Sequence, residues 1–173
     1  EVGFDKSSGG QPFKIAPQPI PFPPQAKQQG DFAVSLSASS KHQMLFLITK
    51  LGYLYMYDII SGSMIYCNRI SMDTVFASCD DASTGGVLGL TASKGSLLSI
   101  SVDEQKLIPY IQSQLNNPSL ALSISARLGL AGGEGLFVEQ FERLMQSRNY
   151  DGAAKLAAKS PGATLRNMDT IKH

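Results

Sequence analysis

A module of short β-like runs appears twice in this chain, and its turn glycines, Gly52 and Gly95, stand 43 residues apart. In the first copy, residues 32–39 alternate Phe32, Val34 and Leu36 with smaller side chains, and residues 44–49 form an unbroken apolar run. An unbroken run of that length reads as a strand buried on both faces. Gly52 turns the chain into residues 53–60, and Ser61-Gly62 turns it again into 64–70. That makes four strands on short turns, an antiparallel meander. Residues 75–78, 86–91 and 96–102 repeat the pattern.

A period of about 40–45 residues with four strands per unit is the signature of β-propeller blades. Tyr57-Asp58 stands where a Trp-Asp pair closes the third strand of WD-type repeats, and Ile100-Ser101 stands there in the second copy. Hairpins of a β-sandwich can share a glycine turn, so a sandwich is the competing topology. Before the first module, residues 1–30 carry Gly9-Gly10, Pro12, Pro17, Pro19, Pro21 and Pro23-Pro24, which break helices and suit an edge or connection.

From Leu107 the period changes. Ile108, Ile111 and Leu115 fit a short helix, and Asn117-Pro118 is a strong helix start, a capping side chain followed by proline at the first helical position. Leu120, Ile124 and Leu128 form one row, and Leu122, Ala126 and Leu130 another, so this helix is expected to lie between neighbours. Gly132-Gly133 ends it. Phe137, Phe141, Leu144 and Met145 stripe the next helix, and Asn149 caps a third carrying Tyr150, Ala153, Ala154 and Ala157 on one face. Short antiparallel helices on short loops are how α-solenoids begin. The expected fold is therefore β then α, a partial propeller of two to three blades followed by solenoid helices. Its expected divisions are a Pro-rich connection and partial blade at 1–30, blades at 31–72 and 73–104, and a helical linker at 105–173.

The residue inventory argues against an enzyme. The net charge of +1, with 15 basic and 14 acidic residues, gives no reason to expect nucleic acid as a partner. Cys67 and Cys79 have no CxxC spacing, His42 and His173 lie far apart, and no metal site or cofactor is expected. Sparse cysteine favours a reducing compartment, the cytosol. No apolar run approaches the roughly 20 residues of a membrane helix. His42, in Ser39-Ser40-Lys41-His42-Gln43, reads as a solvated turn histidine, and Asp80-Asp81 as a solvated loop. Neither a GxxxxGK[ST] cradle nor a GxGxxG fingerprint appears. Glu1-Val2 looks like a strand end, so a longer polypeptide is expected.

An ordered set of short stretches resembles the clathrin heavy-chain family, from the later propeller blades into the helical linker. They include Gln11-Pro12-Phe13, Phe22-Pro23-Pro24, Phe46-Leu47-Ile48-Thr49-Lys50-Leu51-Gly52-Tyr53 and Ile65-Tyr66-Cys67-Asn68-Arg69-Ile70-Ser71. Ile108-Pro109-Tyr110-Ile111, Leu115-Asn116-Asn117-Pro118, Asn149-Tyr150, Ala153-Ala154-Lys155 and Leu165-Arg166 continue it. The chain departs from the family at Asn167-Met168 and at Gly133 and Gly135, which flank Glu134 where helix formers are usual and are expected to loosen the linker. The resemblance implies a seven-bladed propeller in the whole protein and a coat scaffold on the cytosolic face of coated vesicles and pits. Adaptor proteins would bind through short linear motifs in grooves between blades, and other heavy chains and light chains would be partners in the full-length protein. It implies peptide contacts at Phe13, Lys14, Lys50, Tyr53 and Arg69. The alternative is a propeller–solenoid connector of another coat or tethering complex with no peptide site of its own.

Overall fold

The computed structural model describes residues 19–161 and 164–166. The chain divides between Asp31 and Phe32 into two compact units.

In the first unit, proline starts a helix instead of breaking one. α1 (Pro24–Gln28) carries Pro24 at its first position, where the missing N–H has no helical partner to lose. Pro23 accepts from the Lys27 amide, Ala26 is buried, and the Asp31 amide closes the end on the Ala26 carbonyl. The expectation of no helix in residues 1–30 is corrected at this one turn.

Among the described residues, the second unit holds two antiparallel sheets and four helices. β1 (Ala33–Ser39), β2 (Met44–Thr49), β3 (Tyr53–Asp58) and β4 (Met64–Arg69) form a four-stranded meander. β5 (Val75–Asp81), β6 (Gly86–Thr91) and β7 (Leu97–Ile100) form a three-stranded one. The copies correspond strand for strand, since Ala33 faces Thr49 in one and Val75 faces Thr91 in the other. Gly52 and Gly95 occupy matching corners, between the second and third strands, with φ of +79° and +62°. The sandwich alternative gives way to two blade-like sheets side by side, each an up-and-down meander.

The two sheets meet along β1 and β5. Ser35 bonds Ser78 hydroxyl to hydroxyl, and Ser37 donates to the Asp80 carboxylate. This seam explains why the apolar alternation of β1 points the other way from a half-buried strand in isolation. Phe32 is 51% and Leu36 66% exposed, while Ser37 and Ser39 are buried. A serine face can be buried here because the neighbouring sheet supplies hydrogen-bond partners to Ser35 and Ser37, and His42 in the following turn supplies one to Ser39. β2 has all but Leu45 fully buried, as its unbroken apolar run requires.

The helices begin three residues earlier than the apolar periodicity indicates. Asp103 caps α2 (Glu104–Ser113), accepting from the amides of Gln105 and Lys106. Asn117 caps α3 (Pro118–Leu128) through the Leu120 amide, and Asn149 caps α5 (Tyr150–Lys159) through the Gly152 amide. Between them runs α4 (Glu134–Gln146). In α5 the buried face is Ala153, flanked by half-buried Leu156 and Ala157, whereas Tyr150 is 58% exposed. The stripe expected through Tyr150 and Ala154 is thus rotated toward Leu156, a wholly apolar side chain, while the tyrosine keeps its hydroxyl end toward solvent.

One hydrophobic core joins both sheets to the helices. Met44, Phe46, Ile48, Leu54 and Ile65 of the first sheet and Val75 and Val87 of the second cluster with Leu107, Ile108 and Ile111 of α2 and Leu120, Ala121 and Ile124 of α3. Through this core the two sheets are packed together with α2 and α3.

Candidate functional site

Where the first sheet, β7 and α2 converge they leave an apolar cleft of about 550 Å³. It is lined by Phe46, Leu54, Met56 and Tyr66 of the first sheet, Leu98 and Ile100 of β7, and Leu107 and Tyr110 of α2. Within that lining the rings of Tyr66 and Tyr110 pair 6.2 Å apart, tilted by 55°. Asp103 and Lys106 mark the rim, paired at 3.2 Å. The Asp103 carboxyl is held below its ordinary value, first by the Lys106 side chain and then by the amides it caps. An apolar cleft lined also by charged Asp103 and Lys106 suits a peptide segment carrying apolar side chains.

The five residues singled out in the sequence fall into two groups. Phe13 and Lys14 lie outside the described residues. Lys50, Tyr53 and Arg69 are brought together at one end of the first sheet. Tyr53 faces Arg69 across the β3–β4 pair, and the guanidinium sits 5.8 Å from the Tyr53 ring centre. Lys50 lies 5.4 Å over the Phe32 ring. Arg69 Nε donates to the carbonyls of Leu51 (2.9 Å) and Ser71 (3.1 Å), fastening the turn at Gly52 to the end of β4. The neighbour of Arg69, Ile70, is the residue that reaches the cleft. Lys106 and Tyr110, one turn apart on α2, and Leu98 of β7 join the cleft only through the packing of that helix on the strand, which no local spacing in the sequence signals.

His42 is a correction. It is 2% exposed, not a solvated turn residue. Its Nε2 is 3.0 Å from Glu104 Oε1, and its Nδ1 is 3.3 Å from the Gly85 carbonyl and 3.5 Å from Ser39 Oγ. Serine, histidine and glutamate here resemble a nucleophile–base–acid set. Ser39 Oγ, however, is buried and accepts from the His42 backbone amide at 3.2 Å, so the arrangement is a structural clasp. Asp80-Asp81 is likewise committed. Asp80 receives Ser37, and Asp81 receives the hydroxyls of Ser83 (2.6 Å) and Thr84 (2.8 Å), which hold its carboxyl below the ordinary range. Among the described residues no three His, Cys, Asp or Glu side chains are grouped to hold a metal, and no helix is long and apolar enough to cross a membrane.

Two family models match the helical half: "Clathrin, heavy-chain linker" over residues 104–127 and "Clathrin-H-link" over residues 129–173. Across 172 residues the chain is 44% identical to the clathrin heavy chain of Drosophila melanogaster, 42% to a probable clathrin heavy chain 1 of Caenorhabditis elegans and 41% to clathrin heavy chain 2 of Homo sapiens. Each match covers 99% of this chain and 10% of the relative, so the chain spans about a tenth of the length of these relatives. With two blade-like sheets leading through one shared core into capped helices, and with this identity running from the sheets to the last helix, the chain belongs to the clathrin heavy-chain family.

Proposed function

We propose that this chain is the junction piece of a coat scaffold, the part in which propeller blades pass rigidly into the first helices of a leg, and that it catalyses no reaction. The observation that carries the reading is the shared core, in which Val75 and Val87 of the sheets and Ile108 and Ile124 of the helices are all buried in one cluster. A connection of that kind transmits orientation, which is what a cage-forming subunit needs from the base of its propeller. The clathrin heavy chains it resembles support that role, on the cytosolic face of coated vesicles and pits, with other heavy chains and light chains as partners of the full-length protein.

Within that scaffold, the cleft walled by Met56, Tyr66, Leu98 and Ile100 is the proposed groove for a short apolar–acidic motif of an adaptor protein. Lys106 at its rim is the cation positioned to meet an acidic side chain. Fluorescence anisotropy with labelled adaptor-motif peptides tests this. Saturable binding that is weakened by Lys106→Glu supports the groove. Lys106 is largely exposed, so that substitution leaves the fold in place. A folded chain that binds none of the peptides saturably points instead to a connector without a peptide site. Arg69→Glu is a poorer probe, because Arg69 also fastens the turn at Gly52.

A further inference from the structure

His42 ties three separated segments together. It sits in the β1–β2 turn, faces the Gly85 carbonyl in the β5–β6 turn, and faces Glu104, the first residue of α2. Both ring nitrogens therefore point at oxygen acceptors, Nδ1 at Gly85 O (3.3 Å) and Nε2 at Glu104 Oε1 (3.0 Å). A neutral imidazole has only one N–H to give. One of the two contacts then sets lone pair against lone pair, or leans on the more distant Ser39 hydroxyl. With Nε2–H given to Glu104, Nδ1 of the neutral ring is left with the Ser39 hydroxyl at 3.5 Å, and the Gly85 carbonyl receives no proton from it. An imidazolium has two N–H groups and satisfies both.

The surroundings are built for this close approach. Gly85 takes φ +69°, and a Cβ there would stand 2.8 Å from Lys41 Cβ and 3.0 Å from His42 Nδ1. The charged groups facing the ring from each packed element are few. On its own turn there is Lys41, whose Nζ lies 3.0 Å from the same Glu104 oxygen. On α2 there is Glu104 itself. The β5–β6 turn offers the Gly85 carbonyl, with the Asp81 carboxylate turned away onto Ser83 and Thr84. Glu104 is held below its ordinary value, first by the hydrogen bond from His42 and then by Lys41, so it remains an acceptor in mildly acidic solution.

We propose that protonation of His42 closes a clasp that locks both sheets to the first helix, making the stiffness of the blade-to-leg junction dependent on pH. The 173-residue chain and its His42→Gln variant are melted between about pH 8 and about pH 5.5, either side of the imidazole range. Glutamine keeps one donor and one acceptor but cannot gain a proton. The stability advantage of the wild type is expected to widen by about 2–4 °C on acidification. A gap that stays constant or narrows overturns the proposal. Should the variant not fold, nitrogen-15 spectra of the wild-type ring decide. The chain has one other histidine, His173, as an internal reference. Two protonated ring nitrogens on His42 in the folded chain at about pH 5.5, together with stronger amide-exchange protection at Gln105–Leu107, support the clasp. A single N–H under those conditions refutes it.

Discussion

Ser37 donates a hydrogen bond to Asp80 across the seam between the first and second sheets. The two residues are first-strand neighbours in successive copies of the module, and together with Ser35 and Ser78 they register one sheet against the next. Ser37→Ala leaves Asp80 able to turn to water, and Asp80→Ala leaves a buried hydroxyl short of an acceptor. Each is expected to cost about 0.5–1.5 kcal/mol in urea unfolding. The double variant should cost less than the sum, because the two groups serve one bond. Strict additivity would mean that the seam is held by apolar contact alone.

A second tie joins the sheets to the helices. Arg127 of α3 pairs with Asp58 at the end of β3, and the Asp58 carboxylate is buried. Burial pushes that carboxyl up, but hydrogen bonds from Ser61 and Arg127 outweigh it and the net shift is downward. Removing one partner strands the other, so Arg127→Ala is expected to cost about 3 kcal/mol. The pH dependence follows the sign of the shift. The ionised pair contributes fully above the ordinary carboxylate value of about 3.8, and its contribution is lost as pH falls through the lower folded value. The stability gap between wild type and Asp58→Asn should therefore be flat at neutral pH and close in acid. A gap that grows in acid would reverse the assignment.

The two corner glycines are alike in backbone and unlike in surroundings. A Cβ at Gly52 would lie 2.4 Å from the Ser71 carbonyl oxygen, whereas at Gly95 it would meet nothing within 4 Å. The difference arises because the chain leaving β4 runs past the first corner, whereas among the described residues no fourth strand runs past the second. Gly95→Ala carries only the cost of a left-handed backbone, about 1–2 kcal/mol. Gly52→Ala adds a backbone clash and should cost clearly more. Equal losses in thermal unfolding would show that the first corner yields freely.

The elements that could be read from the sequence are those whose signal is local. Asn117-Pro118 and Asn149 mark helix starts because cap and first turn are adjacent in the chain. The run through Met44–Thr49 marks a doubly buried strand because its own composition demands it. What escaped depends on distant partners. His42 looks solvated among Ser39, Ser40, Lys41 and Gln43 until Gly85 and Glu104 arrive from 43 and 62 residues away. The buried serine face of β1 makes sense only once Ser78 and Asp80 stand opposite it. The cleft was half legible: its first wall lies in the apolar pattern of β2 to β4, but Leu98, Lys106 and Tyr110 reach it only through packing.

Gly133 and Gly135, expected from the sequence to loosen the linker alike, are predicted to differ in sign. Gly133 is buried at the start of α4, and a Cβ there would stand 2.7 Å from Ser125 Oγ and 3.0 Å from Ser125 Cβ. That serine is itself fixed, fully buried and donating to the Leu130 carbonyl at 2.8 Å. Gly133→Ala therefore overfills a close contact between α3 and α4 and should destabilise by about 1–3 kcal/mol. Ser125→Ala in that background removes the nearer atom and is expected to recover part of the loss. At Gly135 a Cβ meets nothing within 4 Å, and the residue lies inside α4. Gly135→Ala should stabilise by about 0.5–1 kcal/mol, by lowering the entropy of the unfolded chain at a helical position. Urea unfolding of the single variants separates the two cases. If both substitutions stabilise, the α3–α4 contact at Ser125 is slack and Gly133 is not needed for it.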